Sequence, residues 1–118
     1  MKDYEKYINQ IKTNLKKQDP FLILLFGSCV SGNLHQDSDI DILVVTKDDY
    51  IPQTFKEKTE LYLKIRQSIA ETNKEVAIDL LVYTMPMYQK FIQMNSSFSR
   101  EITEKGKIIY ESNNTKMA

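Results

Sequence analysis

The stretch "FGSCVSGNLHQDSDIDILVV", Phe26 to Val45, breaks an apolar run at Gly27-Ser28, loops out for ten residues, and resumes as an apolar run headed by Asp39 and Asp41. Upstream, "FLILLF" (21–26) is short, continuously apolar and bounded by Pro20 and Gly27, which fits a central strand. Downstream, "IDILVV" (40–45) reads as a second strand. Side chains two apart on a strand point the same way, so Asp39 and Asp41 share one face while Ile40 and Ile42 share the other. Two like charges this close repel unless something positive lies between them. A divalent cation answers that need, because carboxylate oxygens are hard ligands and Mg²⁺ takes one or two of them together with water and substrate phosphates. Taken alone, Asp-x-Asp is also compatible with a solvated strand start in which Asp39 caps a turn and Asp41 is merely exposed.

A third carboxylate favours the cation. Asp79 lies inside "VAIDLLVY" (76–83), a third strand with apolar residues on both sides, where a charge is costly to bury without a partner. If this strand lies beside the second, Asp79 completes a cluster with Asp39 and Asp41; exposure at a strand end or pairing with Lys or Arg are the alternatives. Gly27 removes a side chain where backbone comes close to a ligand, and Ser28 offers an N–H and a hydroxyl at the start of a short helical turn, a combination suited to phosphate oxygens. Gly-Ser by itself is ordinary turn chemistry. The joint pattern of Gly27-Ser28, Gly32 and Ser38-Asp39-x-Asp41 is far more specific: with common residues near 7% each, six fixed positions match by chance on the order of once in 10⁷ windows.

Around this centre, residues 3–18 place Tyr4, Tyr7, Ile8, Ile11 and Leu15 on one helical stripe, ended by Asp19-Pro20. "TKDDYIPQT" (46–54) is a turn-rich connector, and residues 55–71 put Phe55, Leu61, Tyr62, Ile65 and Ile69 at helical spacing. Pro86 suits the first turn of a helix whose apolar side carries Phe91 and Ile92. Residues 97–105 predict a last helix with Phe98 and Ile102 facing inward, stopped by Gly106, after which "KIIYE" adds a short strand. The order helix, strand, helical turn, strand, helix, strand, helix describes an α/β domain with a small sheet covered by helices. Residues 1–111 are expected to form one domain, with 112–118 a frayed tail.

Composition narrows the function classes. Sixteen Lys and Arg balance sixteen Asp and Glu, which argues against broad nucleic-acid binding. No run is long enough to cross a membrane, the opening "MKDYEKY" is too polar for a signal peptide, and the lone Cys29 points to a reducing cytoplasm. His35, alone in a polar loop, reads as solvated.

With these residues in place, the chain resembles the nucleotidyltransferase superfamily that includes DNA polymerase beta, in particular its smallest, MNT-type members of the antitoxin kind. That family's pattern is Gly-Ser, ten residues, then Asp-x-Asp, and Gly27, Ser28, Asp39 and Asp41 match it, with Gly32 and Ser38 at the usual intermediate positions. "AIDLLVYTMP" is similar to the strand bearing the third carboxylate, Asp79, and "FSREITEKGKIIYE" to the closing segment. The resemblance spans residues 20–111 and implies a small mixed sheet flanked by helices. It also implies Asp39, Asp41 and Asp79 as catalytic residues and ligands of two Mg²⁺ ions, Gly27, Ser28 and Ser38 as nucleotide-binding residues, and ATP as donor. The acceptor it implies is a tyrosine of a HEPN-type toxin partner, with self-association left open. One departure stands out: residues 29–38 contain no Lys or Arg, so triphosphate charge falls to metal ions, backbone N–H groups, Lys47 or a partner's basic side chain. A non-catalytic module that masks its partner by contact is the rival reading.

Overall fold

The structure, a computed structural model, describes residues 4–31 and 39–112. Helix α1 (Tyr4–Lys16) ends where Asp19 adopts a left-handed backbone (φ 52°) and its N–H bonds Lys16 O at 3.0 Å. Aspartate tolerates this conformation better than most residues. Strand β1 (Leu22–Phe26) follows, then the single turn α2 (Ser28–Ser31), β2 (Ile40–Val45), α3 (Phe55–Gln67), the short α4 (Ala70–Asn73), β3 (Ile78–Tyr83), α5 (Met85–Met94), α6 (Ser97–Lys105) and β4 (Lys107–Glu111).

The four strands lie in the order β3-β2-β1-β4. β1 is antiparallel to both of its neighbours, and β2 runs parallel to β3, so the sheet is mixed. Alternation along the strands sends residues to two cores. On one face Ile23, Leu25, Ile40, Ile42, Val44 and Leu80 meet Ile11 and Leu15 of α1 and Ile65 of α3. On the other, Leu22, Leu24, Phe26, Leu43 and Val45 meet Phe91 of α5 and Ile102 of α6. Asp41 and Asp79 fall in the alternation of this second face, at the end of the sheet where β1 stops and β2 and β3 begin.

The α/β order and the mixed sheet flanked by helices agree with expectation; three local readings change. The helix expected over 55–71 stops at Gln67, where Ser68 donates both its N–H (3.1 Å) and its hydroxyl (2.6 Å) to Ile65 O. Ile69 then leaves helical backbone (φ −114°, ψ 13°) before α4 starts. Phe55 is 84% exposed and Tyr62 is exposed, because only the second half of α3, through Leu61 and Ile65, reaches the core. Phe98, expected inward, is 40% exposed, its ring packing edge-on against Phe26 and Phe91 with centroids 5.6 Å away in each case. Ser112, assigned to the tail, is buried and donates its N–H to Phe21 O at 2.9 Å. Residues 113–118 lie outside the described residues.

Candidate active site

The site forms where β1 ends. Gly27 has φ +69°, a conformation that L side chains rarely adopt, and it turns the chain from β1 into α2. It has a second reason to be glycine: a Cβ at this position would collide with Asp41 Oδ2 and come within 3.0 Å of Asp41 Cγ. The carboxylate of Asp41 therefore occupies the space that Gly27 leaves open. Asp41 is held there by register, opposite Phe26 on β1 and opposite Asp79 on β3. Adjacent strands run about 4.8 Å apart, so the side chains of an in-register pair on one face are neighbours.

The electrostatics follow from this crowding. Asp41 is half-buried, and burial, then the charges of Asp79 and Asp39, push its pKa from 3.8 to about 6. A hydrogen bond with Asp79 that requires a shared proton and, least of all, the charge of Glu101 on α6 act in the same direction. Asp79 itself is exposed, not buried as its apolar neighbours suggested, because β3 is the sheet's edge and Asp79 is its second residue. Its placement beside Asp41 agrees with the expectation of adjacent strands. Asp39, just ahead of β2, is also exposed. Among the described residues, no group of three or more His, Cys, Asp or Glu side chains is placed to hold a metal ion. An open arrangement of oxygen donors with one crowded carboxylate nevertheless fits Mg²⁺, which keeps water and substrate phosphates in its shell.

Beside the carboxylates, a cavity of about 420 Å³ is lined by Phe26, Gly27, Ser28, Val30, Glu101, Lys105 and Gly106. Gly27 and Ser28 thus line this cavity, whereas Gly32, His35 and Ser38 lie outside the described residues. Lys47 does not join them. It follows the far end of β2, six residues beyond Asp41 and so about 20 Å along the strand, and its Nζ is 2.9 Å from Asp19 Oδ1. The sequence reading missed Glu101 and Lys105. Their spacing with Ile102 on α6 was visible, but not which end of the sheet that helix crosses.

Comparison with known proteins gives this geometry its relatives. The family described as Polymerase beta, Nucleotidyltransferase matches residues 9–115. A protein of Methanocaldococcus jannaschii named "Putative protein adenylyltransferase" is 29% identical over 109 residues, spanning 92% of this chain and 96% of the relative. Among solved structures, a toxin-antitoxin crystallised with AMP-PNP has a TM-score of 0.53 at 24% identity, covering 92% of this chain and 77% of that one. A "putative nucleotidyltransferase" from Sulfolobus solfataricus has a TM-score of 0.52 at 15% identity, covering 92% and 86%. At these identities the two structural likenesses concern the fold.

Proposed function

Because this chain belongs to the polymerase beta family of nucleotidyltransferases, and is a nucleotidyltransferase, we propose that it moves AMP from ATP to a tyrosine hydroxyl of a HEPN-type partner and so acts as an antitoxin. The observation that carries the reading is the in-register pair of Asp41 and Asp79 beside Gly27 and Ser28. It sets carboxylates next to a turn whose N–H and hydroxyl groups suit a polyphosphate. The name of the Methanocaldococcus jannaschii relative supports AMP as the transferred unit and protein as the acceptor. The toxin-antitoxin of the same fold is in keeping with a partner protein and the antitoxin role. The cytoplasm is the proposed location, in keeping with a lone cysteine.

In the proposed reaction the acceptor hydroxyl oxygen bonds to the α-phosphorus, the bond from that phosphorus to the bridging oxygen breaks, and pyrophosphate leaves with the electron pair. Asp79, on the open edge strand, accepts the hydroxyl proton, because solvent exposure there leaves room for an incoming side chain. Ser28 orients the polyphosphate. Asp39, Asp41 and Asp79 are the residues that would hold Mg²⁺, which when bound supplies charge neutralisation for the triphosphate and the leaving pyrophosphate. Asp41 contributes its ionised form, which burial and then like-charge crowding disfavour in the metal-free protein.

The test is co-expression with the product of the neighbouring gene, with and without Asp41→Asn, followed by intact masses of whatever copurifies. A partner that gains nucleoside monophosphate only with the wild-type chain is the expected result. An unmodified partner that copurifies equally with both versions would replace this reading with the contact-masking module.

A further inference from the structure

We infer that Lys105, the last residue of α6, is the cation that grips the β- and γ-phosphates of the donor nucleotide; the inference rests on the nucleotidyl-transfer reading above. The need for such a group is visible in the charges. The charges of Asp79, Asp39 and Glu101 all act on Asp41, Asp79 is in register beside it, and Glu101 lines the cavity itself. A triphosphate adds further negative charge, and residues 29–38 contain no Lys or Arg to meet it. Of the described residues lining the cavity beside Gly27 and Ser28, Lys105 is the only cation. The cavity, about 420 Å³, lies within the roughly 300–1,000 Å³ typical of small-ligand sites.

The root of Lys105 is fixed tightly. Gly106 follows it, and the Gly106 N–H bonds Ile102 O at 2.9 Å. A Cβ on Gly106 would strike that carbonyl and come within 2.7 Å of Leu24 Cδ2. Only glycine lets the end of α6 lie this close to β1, the strand that runs two residues past Leu24 into Phe26 and then Gly27. Ile102 is fully buried and Phe98 packs on Phe26, so the helix is held along the same strand at three points. Lys105 is itself exposed, and among the described residues it is in no ion pair, whereas Lys47 is held by Asp19 and Lys74 by Glu71. A lysine in a helix's last turn also offsets the helix dipole. That role affects stability alone, and it is indifferent to how many phosphates a nucleotide carries.

The number of phosphates is therefore the variable to test. The affinities of AMP-PNP and of AMP would be measured by calorimetry, with Mg²⁺ present, for the wild-type chain, Lys105→Ala, Lys105→Arg and, as a cation outside the cavity, Lys90→Ala. Loss of one charge-assisted contact to phosphate predicts AMP-PNP affinity about tenfold weaker in Lys105→Ala. AMP affinity should change less than about twofold, Lys105→Arg should recover most of the loss, and Lys90→Ala should match wild type. Equal weakening of AMP and AMP-PNP, or no weakening of either, in a wild type that binds AMP-PNP overturns the role of Lys105 alone. Absence of AMP-PNP binding by the wild-type chain overturns the donor reading, and the inference with it. A thermal midpoint for each variant separates lost binding from lost folding.

Discussion

Replacing Asp41 by Asn should stabilise the metal-free protein at neutral pH while disabling it. The folded-state pKa of Asp41 is raised from 3.8 to about 6, with burial the largest cause and the charges of Asp79 and Asp39 next. The folded chain therefore holds this proton more tightly than the unfolded chain. Between about pH 4 and pH 6 it binds more protons, and its stability falls as pH rises through that window. A displacement of this size corresponds to ~3 kcal/mol in the absence of screening. Because the group is only half-buried, solvent screening reduces the cost to about 1 kcal/mol. Asn is nearly isosteric with the protonated acid and carries no charge, so Asp41→Asn removes that cost above pH 6 and little at pH 4. In chelator, thermal melts at pH 7.5 should place the variant roughly 4 °C above wild type, with the gap closing toward pH 4. Millimolar Mg²⁺ should then raise the wild-type midpoint and leave the variant unmoved. A variant less stable than wild type at pH 7.5 without metal, or an offset that does not change with pH, would refute this account of the site.

Two further outcomes follow from the same contacts. Gly27→Ala should cost about 1–2 kcal/mol from the positive φ alone, plus the collision with the Asp41 carboxylate. The loss in a denaturant titration should be smaller in an Asp41→Ala background, and strict additivity would show that the two residues do not compete for space. Asp79→Asn removes one of the charges that raise the pKa of Asp41 and the partner that shares its proton, so carboxyl NMR should show the Asp41 midpoint moving down from about 6; an unmoved midpoint contradicts the pairing.

Much of this arrangement was legible in the chain because it is local. The break at Gly27, the alternation that separates Asp41 from Ile40 and Ile42, and the short apolar run around Asp79 each depend on neighbours within a few residues. The bounds of α6 and the strand 107–111 were readable for the same reason: Ser96 caps the helix by accepting from the Ser99 N–H, and Gly106 ends it. What failed was information held by the sheet order. The exposure of Asp79 follows from β3 being an edge, which no window around Asp79 encodes. Lys47 was a plausible phosphate ligand by sequence distance from Asp41, yet a strand in between carries it to the opposite end of the sheet, where Asp19 binds it.

Gly27 illustrates why a motif can be right for an incomplete reason. Read as sequence, it is a glycine that makes room for a ligand; in the fold, the space it vacates is already used by Asp41. The two functions are compatible because they involve different atoms: the missing side chain admits a carboxylate oxygen, and the backbone it leaves bare still lines the cavity with Ser28. The glycine of this motif therefore sets the distance between the turn and the carboxylate as well as exposing the turn. Any substitution that restores a Cβ perturbs both halves of the site at once. Lys105 stands in the complementary position. It lies nearly eighty residues from Gly27, and the close packing of Gly106 on Leu24 helps bring its backbone to the same cavity. A site assembled this way separates its tasks along the chain: the carboxylates and the turn come from one strand-loop-strand unit plus its parallel neighbour, and the cation arrives on a helix held to β1 by Phe98, Ile102 and Gly106.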